Sequence, residues 1–216
     1  MLLHIPSTYK HVIWDWNGTL FDDAWLCRGI MNNMLAQRNL PGLSAERYAE
    51  IFDFPVKAYY QSAGWDFNLT PFETLSDEFI NEYERRKLEC AVRPEGLAVL
   101  EALHTAGIPQ SIVSAYKQVS LVPLIAHYQI DTWLVGMRGL DNHHAAGKVE
   151  VGRRWVAELD LDPADILLVG DTLHDHEMAI ELGIDCVLLP SGHQSRTRLQ
   201  TSGATLLASL SELLPT

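Results

Sequence analysis

DILLVGDTLHDHEMAIELGIDCVLLP, residues 165–190, holds the fold in miniature. ILLV and CVLL are unbroken apolar runs of strand length, the mark of strands buried on both faces. Between them LHDHEMAIEL has the length of a helix, and Gly183 follows as its stop. A strand, a helix and a strand in that order imply a parallel crossover and a sheet covered on both faces. The alternation continues outward. EGLAVLEALHTAG (95–107) reads as a helix, QSIVSA (110–115) as a strand and SLVPLIAHYQI (120–130) as a helix that tolerates Pro123 early or at a kink. TWLVGM (132–137) reads as a strand and VEVGRRWVAELDL (149–161) as a helix, and short helical pieces near 193–200 and 205–213 close the chain.

Upstream, HVIWDW (11–16) is a short buried strand ending in a charge, followed by the turn NGTLFDD (17–23). The block from 24 to 90 reads all-helical. Leu26, Ile30, Met34 and Leu35 recur at helical spacing, and Ser44 caps a helix over Arg47–Phe52. Pro55 opens VKAYYQSAG (56–64), and Phe72, Leu75, Phe79 and Tyr83 form one stripe. The expected architecture is α/β, with a Rossmann-like parallel sheet core. Residues 1–20 and 91–216 form that core, and a helical cap, residues 21–90, is inserted after the first strand.

Composition agrees with a globular protein: 47% hydrophobic and 20% charged among 216 residues. A chain of this length buries roughly 70% of its extended surface, so no disulfide or structural metal is required. Lys and Arg number 16 against 28 Asp and Glu, a formal charge of −12. That field disfavours nucleic acid and anionic membranes but leaves room for a small anionic substrate in a locally positive pocket. Three scattered cysteines, Cys27, Cys90 and Cys186, suggest a reducing compartment. The N-terminus lacks a signal-peptide pattern, and no apolar run has bilayer length, so a cytoplasmic protein, monomer or homodimer, is expected.

In open parallel sheets the ligand crevice lies at the carboxyl ends of the strands. Asp15 ends HVIW, Ser114 ends SIV, Asp171 ends ILLVG with Asp175 four residues on, and Lys148 stands in AAGKVE before a helix. Two carboxylates at one sheet edge repel unless a cation joins them, and oxygen ligands suit magnesium. A carboxylate, a hard-metal site, a hydroxyl and an ammonium make a set suited to phosphoryl transfer.

With these four motifs in order, the chain resembles the haloacid dehalogenase-like hydrolases. DWNGTLFDD resembles their first motif, SIVSA the second, Lys148 the third and VGDTLHD the fourth. The helical insertion resembles the small cap of the phosphoglycolate phosphatase-like branch. The resemblance implies a magnesium-dependent phosphatase acting on a small phosphorylated metabolite. Asp15 is then the nucleophile that carries an aspartyl-phosphate. Mg²⁺ is held by Asp15, Asp171 and the backbone carbonyl of Asn17, with Asp175 supporting. Ser114, the adjacent Ala115 and Lys148 hold the phosphoryl group, while Gly18 and Thr19 shape the loop and offer N–H groups to phosphate.

One position departs from the family pattern. Asn17 stands where these phosphatases carry the Asp that acts as general acid and base, and a carboxamide cannot cycle a proton. Loss of such help typically costs about 10²- to 10⁴-fold. A slow phosphatase preferring easily expelled leaving groups, a phosphotransferase, or a catalytically weak phosphate- or protein-binding homologue are the readings this opens. Restoring the carboxylate, Asn17→Asp, is expected to raise turnover unless His174 or His176, which flank Asp175, has taken over the proton. His193 is a candidate for the crevice rim, and His143 and His144 read as surface loop. Lys57 and Lys87 are the insertion lysines available to a Schiff-base, phosphonate-cleaving variant. Trp14 and Trp16 read as core. Trp25, Tyr59, Tyr60, Trp65 and Phe67 divide between the core of the cap and the crevice. Arg28, Arg85 and Arg86 are candidate anion partners, the last two amid Glu residues. The insertion, joined to the core near 20–24 and 90–94, is expected to close over the substrate.

Overall fold

The computed structural model of the protein describes residues 9–141 and 147–214. Six strands form one parallel sheet: β1 (His11–Trp14), β2 (Gln110–Lys117), β3 (Gly136–Leu140), β4 (Ile166–Gly170), β5 (Asp185–Leu188) and β6 (Thr205–Leu206). Their order is β3-β2-β1-β4-β5-β6, every neighbouring pair parallel. The chain leaves β1 toward β2 and β3 and later returns to β4 on its other side. The order therefore reverses at β1, and the crevice expected at such a switch point opens beyond Trp14 and Gly170.

Side-chain alternation along β1 explains how the sheet is held. Val12 and Trp14 face one layer with Leu167, Val169 and the helix α5 (Pro94–Thr105), while Ile13 faces the other with Val113, Leu168 and Trp155. The second layer is supplied by α7 (Lys148–Leu159) and α8 (Leu173–Leu182), and α6 (Gln118–His127) packs along β2 and β3. Each fully buried Leu, Ile or Val contributes roughly 1.5–3 kcal/mol relative to exposure.

The insertion is helical, as read: α1 (Ala24–Ala36), α2 (Ala45–Ile51), α3 (Val56–Ser62) and α4 (Phe72–Arg86). Ser44 caps α2 by accepting from Arg47 N. Leu26, Ile30, Met31 and Leu35 of α1 bury their stripe against Leu75 and Tyr83 of α4, and this core runs on into the Trp14 face of the sheet. Trp14 and Trp16 are fully buried there.

Two differences from the sequence expectation stand out. The third strand begins at Gly136 rather than at Thr132, because Asp131–Trp133 form a 3-10 turn. The 205–213 segment contains the short edge strand β6 before its helical turn Leu210–Leu213. Pro123 lies inside α6. Among the described residues no helix is long and apolar enough to cross a membrane.

Candidate active site

Asp15 is placed by the sheet itself: its N–H donates to Val169 O at 2.9 Å, continuing the β1–β4 ladder one residue past β1. Its carboxylate is buried, and Lys148 Nζ, on the first turn of α7, donates to its Oδ1. The same ammonium donates to Asp175 Oδ1. Asp175 owes its place to the start of α8, where it forms a capping box with Thr172. Its Oδ2 accepts from Thr172 N (3.0 Å) and Thr172 Oγ1 (2.7 Å). Both oxygens of Asp175 are thus engaged, which makes it the anchor that orients Lys148.

Asp171 follows β4 and is packed between two glycines. A Cβ at Gly192 would lie 2.1 Å from Asp171 Oδ2, and one at Gly18 would lie 2.3 Å from it, where φ is +78°. Both positions therefore exclude side chains. His193 N donates to Asp171 Oδ2 at 2.6 Å and Thr19 Oγ1 to Oδ1 at 3.0 Å. Oxygens of Asp15, Asp171 and Asp175 lie within 4.8 Å of one another.

Burial and mutual repulsion among these carboxylates shape their protonation. Burial pushes Asp15 up to about 8 against the pull of Lys148, with Asp175 and Asp171 adding to the rise. Burial likewise raises Asp171 to about 6. Asp175 stays below the usual carboxylate range because Lys148 and Thr172 overcome its burial. Lys148 is itself raised, since the two aspartates outweigh the desolvation of its ammonium. With all three carboxylates ionised, one ammonium leaves two negative charges in excess, which one divalent cation balances. Clustered hard oxygen donors fit magnesium in both kind and charge.

A cavity of about 210 Å³ opens above this cluster. Asp15, Asn17, Ser114, Ala115, Lys148, Asp171 and Asp175 line it, so the structure gathers those candidates from four segments into one site. Gly18 and Thr19 lie behind it. The Gly18 N–H is taken by Phe21 O and Asp23 Oδ1, both at 2.9 Å, and Thr19 is fully buried with its hydroxyl on Asp15 and Asp171. These two residues shape the loop, and the phosphate contact expected of the Gly18 N–H is spent inside the protein.

Asn17 is held firmly. Its Nδ2 donates to Asp23 Oδ2 and to Tyr83 OH, each at 2.7 Å. Asp23 is fully buried and also accepts from Tyr83 OH at 2.6 Å; His193 Nε2 stands 3.6 Å from its Oδ1. Burial pushes Asp23 up, but His193, Tyr83 and Asn17 outweigh it and keep the carboxyl low. The sequence reading missed Asp23 and Tyr83. Asp23 stands at the N-cap of α1 yet makes no capping bond there, turning its side chain back to the loop instead. Tyr83 was legible only as one member of an apolar helical stripe.

The other candidates sort clearly. His193 lines the cavity and is buried, with Nδ1 2.8 Å from Tyr48 OH; desolvation is outweighed by Asp23 and Asp171, so its pKa is raised. His174 and His176 do not line it: His174 packs on Phe54 and approaches Glu177. His143 and His144 lie outside the described residues. Lys57 sits over the rings of Phe67 and Phe72, and Lys87 pairs with Glu84, so neither insertion lysine lines the cavity. Arg85 and Arg86 pair with Glu82 and Glu89 on an outer helical face, and Arg28 is also absent from the lining. Of the insertion aromatics, Tyr59 and Tyr60 reach the cavity, whereas Trp25 is exposed and Trp65 packs on Met31.

Such a parallel sheet, with a buried aspartate just past the first strand and a helical insertion after it, is the architecture of one known class of hydrolase, and comparison with known proteins agrees. The family described as haloacid dehalogenase-like hydrolase matches residues 12–179, and a HAD-hydrolase-like family matches residues 146–213. The chain belongs to the haloacid dehalogenase-like hydrolases. It is 30% identical over 180 residues to the N-acetylmuramic acid 6-phosphate phosphatase of Pseudomonas putida, covering 81% of this chain and 79% of that protein. The protein of that name from Pseudomonas aeruginosa is 26% identical over 194 residues, covering 85% and 83%. In fold it matches a haloacid dehalogenase-like family hydrolase from Streptococcus pneumoniae with a TM-score of 0.82 at 17% identity, covering 96% and 98% of the two chains.

Proposed function

We propose that the protein is a magnesium-dependent phosphomonoesterase that works through an aspartyl-phosphate on Asp15. The observation that carries this reading is the buried Asp15–Lys148–Asp175 chain of contacts beside Asp171, at the floor of a cavity. Asp15, Asp171 and the Asn17 carbonyl would hold Mg²⁺, which supplies charge neutralisation for the phosphoryl oxygens. Lys148 pulls Asp15 toward its ionised form against burial and meets the phosphoryl charge, and Ser114 with Ala115 N–H holds a further oxygen. Asp15 attacks phosphorus and the ester oxygen departs; water then cleaves the Asp15–phosphate bond. Asp175 acts through Lys148, and Thr19 fixes the two carboxylates that face each other. Residues 21–90 serve as the cap that covers the substrate.

The relatives named N-acetylmuramic acid 6-phosphate phosphatases favour a second reading of the substrate, an amino-sugar phosphate. Asn17 favours a second reading of the reaction, in which the aspartyl-phosphate lives long enough to pass to an acceptor other than water, or the protein binds phosphate without turning it over. A panel of sugar, carboxylic-acid and aryl phosphates, assayed with and without Mg²⁺ against an Asp15→Asn control, tests the proposal. Mg²⁺-dependent phosphate release lost in the control is the expected result. Binding without any Asp15-dependent release would leave the non-catalytic reading.

A further inference from the structure

At position 17, where the family resemblance expects a general acid, there is no free proton donor, and the carboxyl and imidazole groups around it are already engaged. Asn17 carries two N–H hydrogens, and Asp23 Oδ2 and Tyr83 OH take both. Asp23 is filled by Asn17, Tyr83 and Gly18 N–H. The Glu84 carboxylate is held by Tyr116 OH and Lys87, and the His193 ring lies between Tyr48 OH and Asp23. A leaving group would therefore have to depart without a carboxylic acid's proton from position 17. An alkoxide, whose conjugate acid resembles water at about 15.7, departs badly. A phenolate, with a conjugate acid near 10, departs well without a proton.

The wall facing the nucleophile carries an independent signal. Phe52, Tyr59, Phe79, Ile80, Tyr83 and Tyr116 line the cavity from the cap and from the end of β2. Their rings pack edge to face or stacked, Tyr83 on Tyr116 at 5.8 Å and Phe79 on Tyr83 at 6.4 Å between centroids. A sugar brings several hydroxyls that need partners; apart from Ser76, Glu84 and Lys117 this wall is mostly rings, and the Tyr83 and Tyr116 hydroxyls already donate to Asp23 and Glu84. An aromatic ring suits it. Among the described residues that line the cavity, one buried polar side-chain atom lacks a hydrogen-bond partner, the Tyr59 hydroxyl.

We propose that the substrate is an aryl phosphate, the phosphomonoester of a phenol, with its ring among these aromatic side chains and a polar ring substituent paired to Tyr59. The inference rests on the phosphomonoesterase reading and names its substrate class. Asp15 Oδ forms the bond to phosphorus while the P–O(aryl) bond breaks, its electron pair leaving on the phenolate oxygen. Water then forms the new P–O bond as the Asp15 oxygen is released. Of the two water protons, one ends on the phenol and one on the phosphate, so no other reactant is needed.

The test is kcat/KM with Mg²⁺ for phenyl phosphate, for benzyl phosphate, which keeps the ring but leaves as an alcohol, and for N-acetylmuramic acid 6-phosphate. Phenyl phosphate should exceed benzyl phosphate by about 10²-fold or more while their KM values stay within a few-fold of each other, and the sugar phosphate should be slowest. Along a series of substituted phenyl phosphates, kcat/KM should climb steeply as the phenol becomes more acidic. One of the three hydroxyphenyl phosphates should show a lower KM than phenyl phosphate, and Tyr59→Phe should erase that advantage. Asp15-dependent turnover in which benzyl or sugar phosphate matches phenyl phosphate, or a flat series, overturns the inference and leaves the phosphatase standing. Absence of Asp15-dependent turnover on every substrate overturns both.

Discussion

The two walls of the cavity are opposites. The core wall, from the ends of β1 and β4 and the starts of α7 and α8, is charged, and nearly every oxygen on it has an assigned partner. The cap wall is aromatic and holds the unpartnered Tyr59 hydroxyl. A wall with all its hydrogen bonds made cannot be varied without leaving a buried charge unpaired, whereas rings exchange at the cost of volume and shape. On the proposed function, phosphorus chemistry would thus be lodged in the sheet and choice of leaving group in the insertion.

The hardest blow to this contrast would be an indifferent Lys148. Lys148→Met leaves Asp15 and Asp175 without their shared cation. It should cut Mg²⁺-dependent turnover by roughly 10³-fold and destabilise the fold by about 3–5 kcal/mol. Turnover and denaturant unfolding together check it; retention of a tenth of the rate would show that the core wall tolerates change.

Next in size is the transfer of a carboxylate across the boundary between the walls. Asn17→Asp alone sets a second carboxylate at the 2.7 Å contact with Asp23, so the gain expected from the sequence alone should be blunted. Asn17→Asp with Asp23→Asn returns a carboxylate to position 17 at constant charge. The pair should raise benzyl phosphate turnover by about 10²-fold and phenyl phosphate turnover far less. Equal effects of the single and double variants would contradict the coupling.

A control comes from the far end of β1. Burial lowers His11 to about 4; its Nε2 lies 2.8 Å from Ser111 Oγ. The unfolded chain takes up this proton first as pH falls below about 6.5, so His11 costs stability progressively between pH 6.5 and 4, by roughly 3 kcal/mol at the lower end. His11→Gln should remove that part of the acid slope in equilibrium unfolding and leave the site untouched. An unchanged slope would mean that this histidine charges freely in the fold. The smallest effect is expected on the cap wall: Phe79→Leu should raise KM for phenyl phosphate a few-fold with kcat held, and a collapse of kcat would show that the rings do more than select.

The sheet was legible because its strands are buried on both faces, and ILLV or HVIW admit little else. Asp15, Ser114, Lys148 and Asp171 were legible because a strand end or a helix start fixes each one locally. β3 slipped because GMRGL is poor in β-branched residues, while the more apolar TWLV before it makes a turn with Val135 exposed. Asp23 was illegible for another reason. An aspartate before an apolar helical run reads as a cap. It turns instead to Asn17 and Gly18 in the loop and to Tyr83, which lies 60 residues away on another helix, a distance no local pattern spans. The aromatic wall was less legible: of the insertion aromatics singled out in the sequence only Tyr59 and Tyr60 line the cavity, Phe79 and Tyr83 read only as a helical stripe, and which rings face inward depends on how α2, α3 and α4 settle over the sheet.

His193 joins the two walls through a single residue. Its backbone N–H grips Asp171 Oδ2, its ring stacks on Phe52 at 4.4 Å between centroids, and Tyr48 OH holds its Nδ1. The residues after it extend the seam: Gln194 Nε2 and Arg198 Nη1 both donate to Phe52 O, and Ser195 N donates to Ala49 O. Lifting the cap on this side therefore tugs on the peptide that steadies Asp171. The insertion and the carboxylate proposed to hold the metal thus share one seam, so a substitution where α2 meets the loop after β5 would be felt at Asp171.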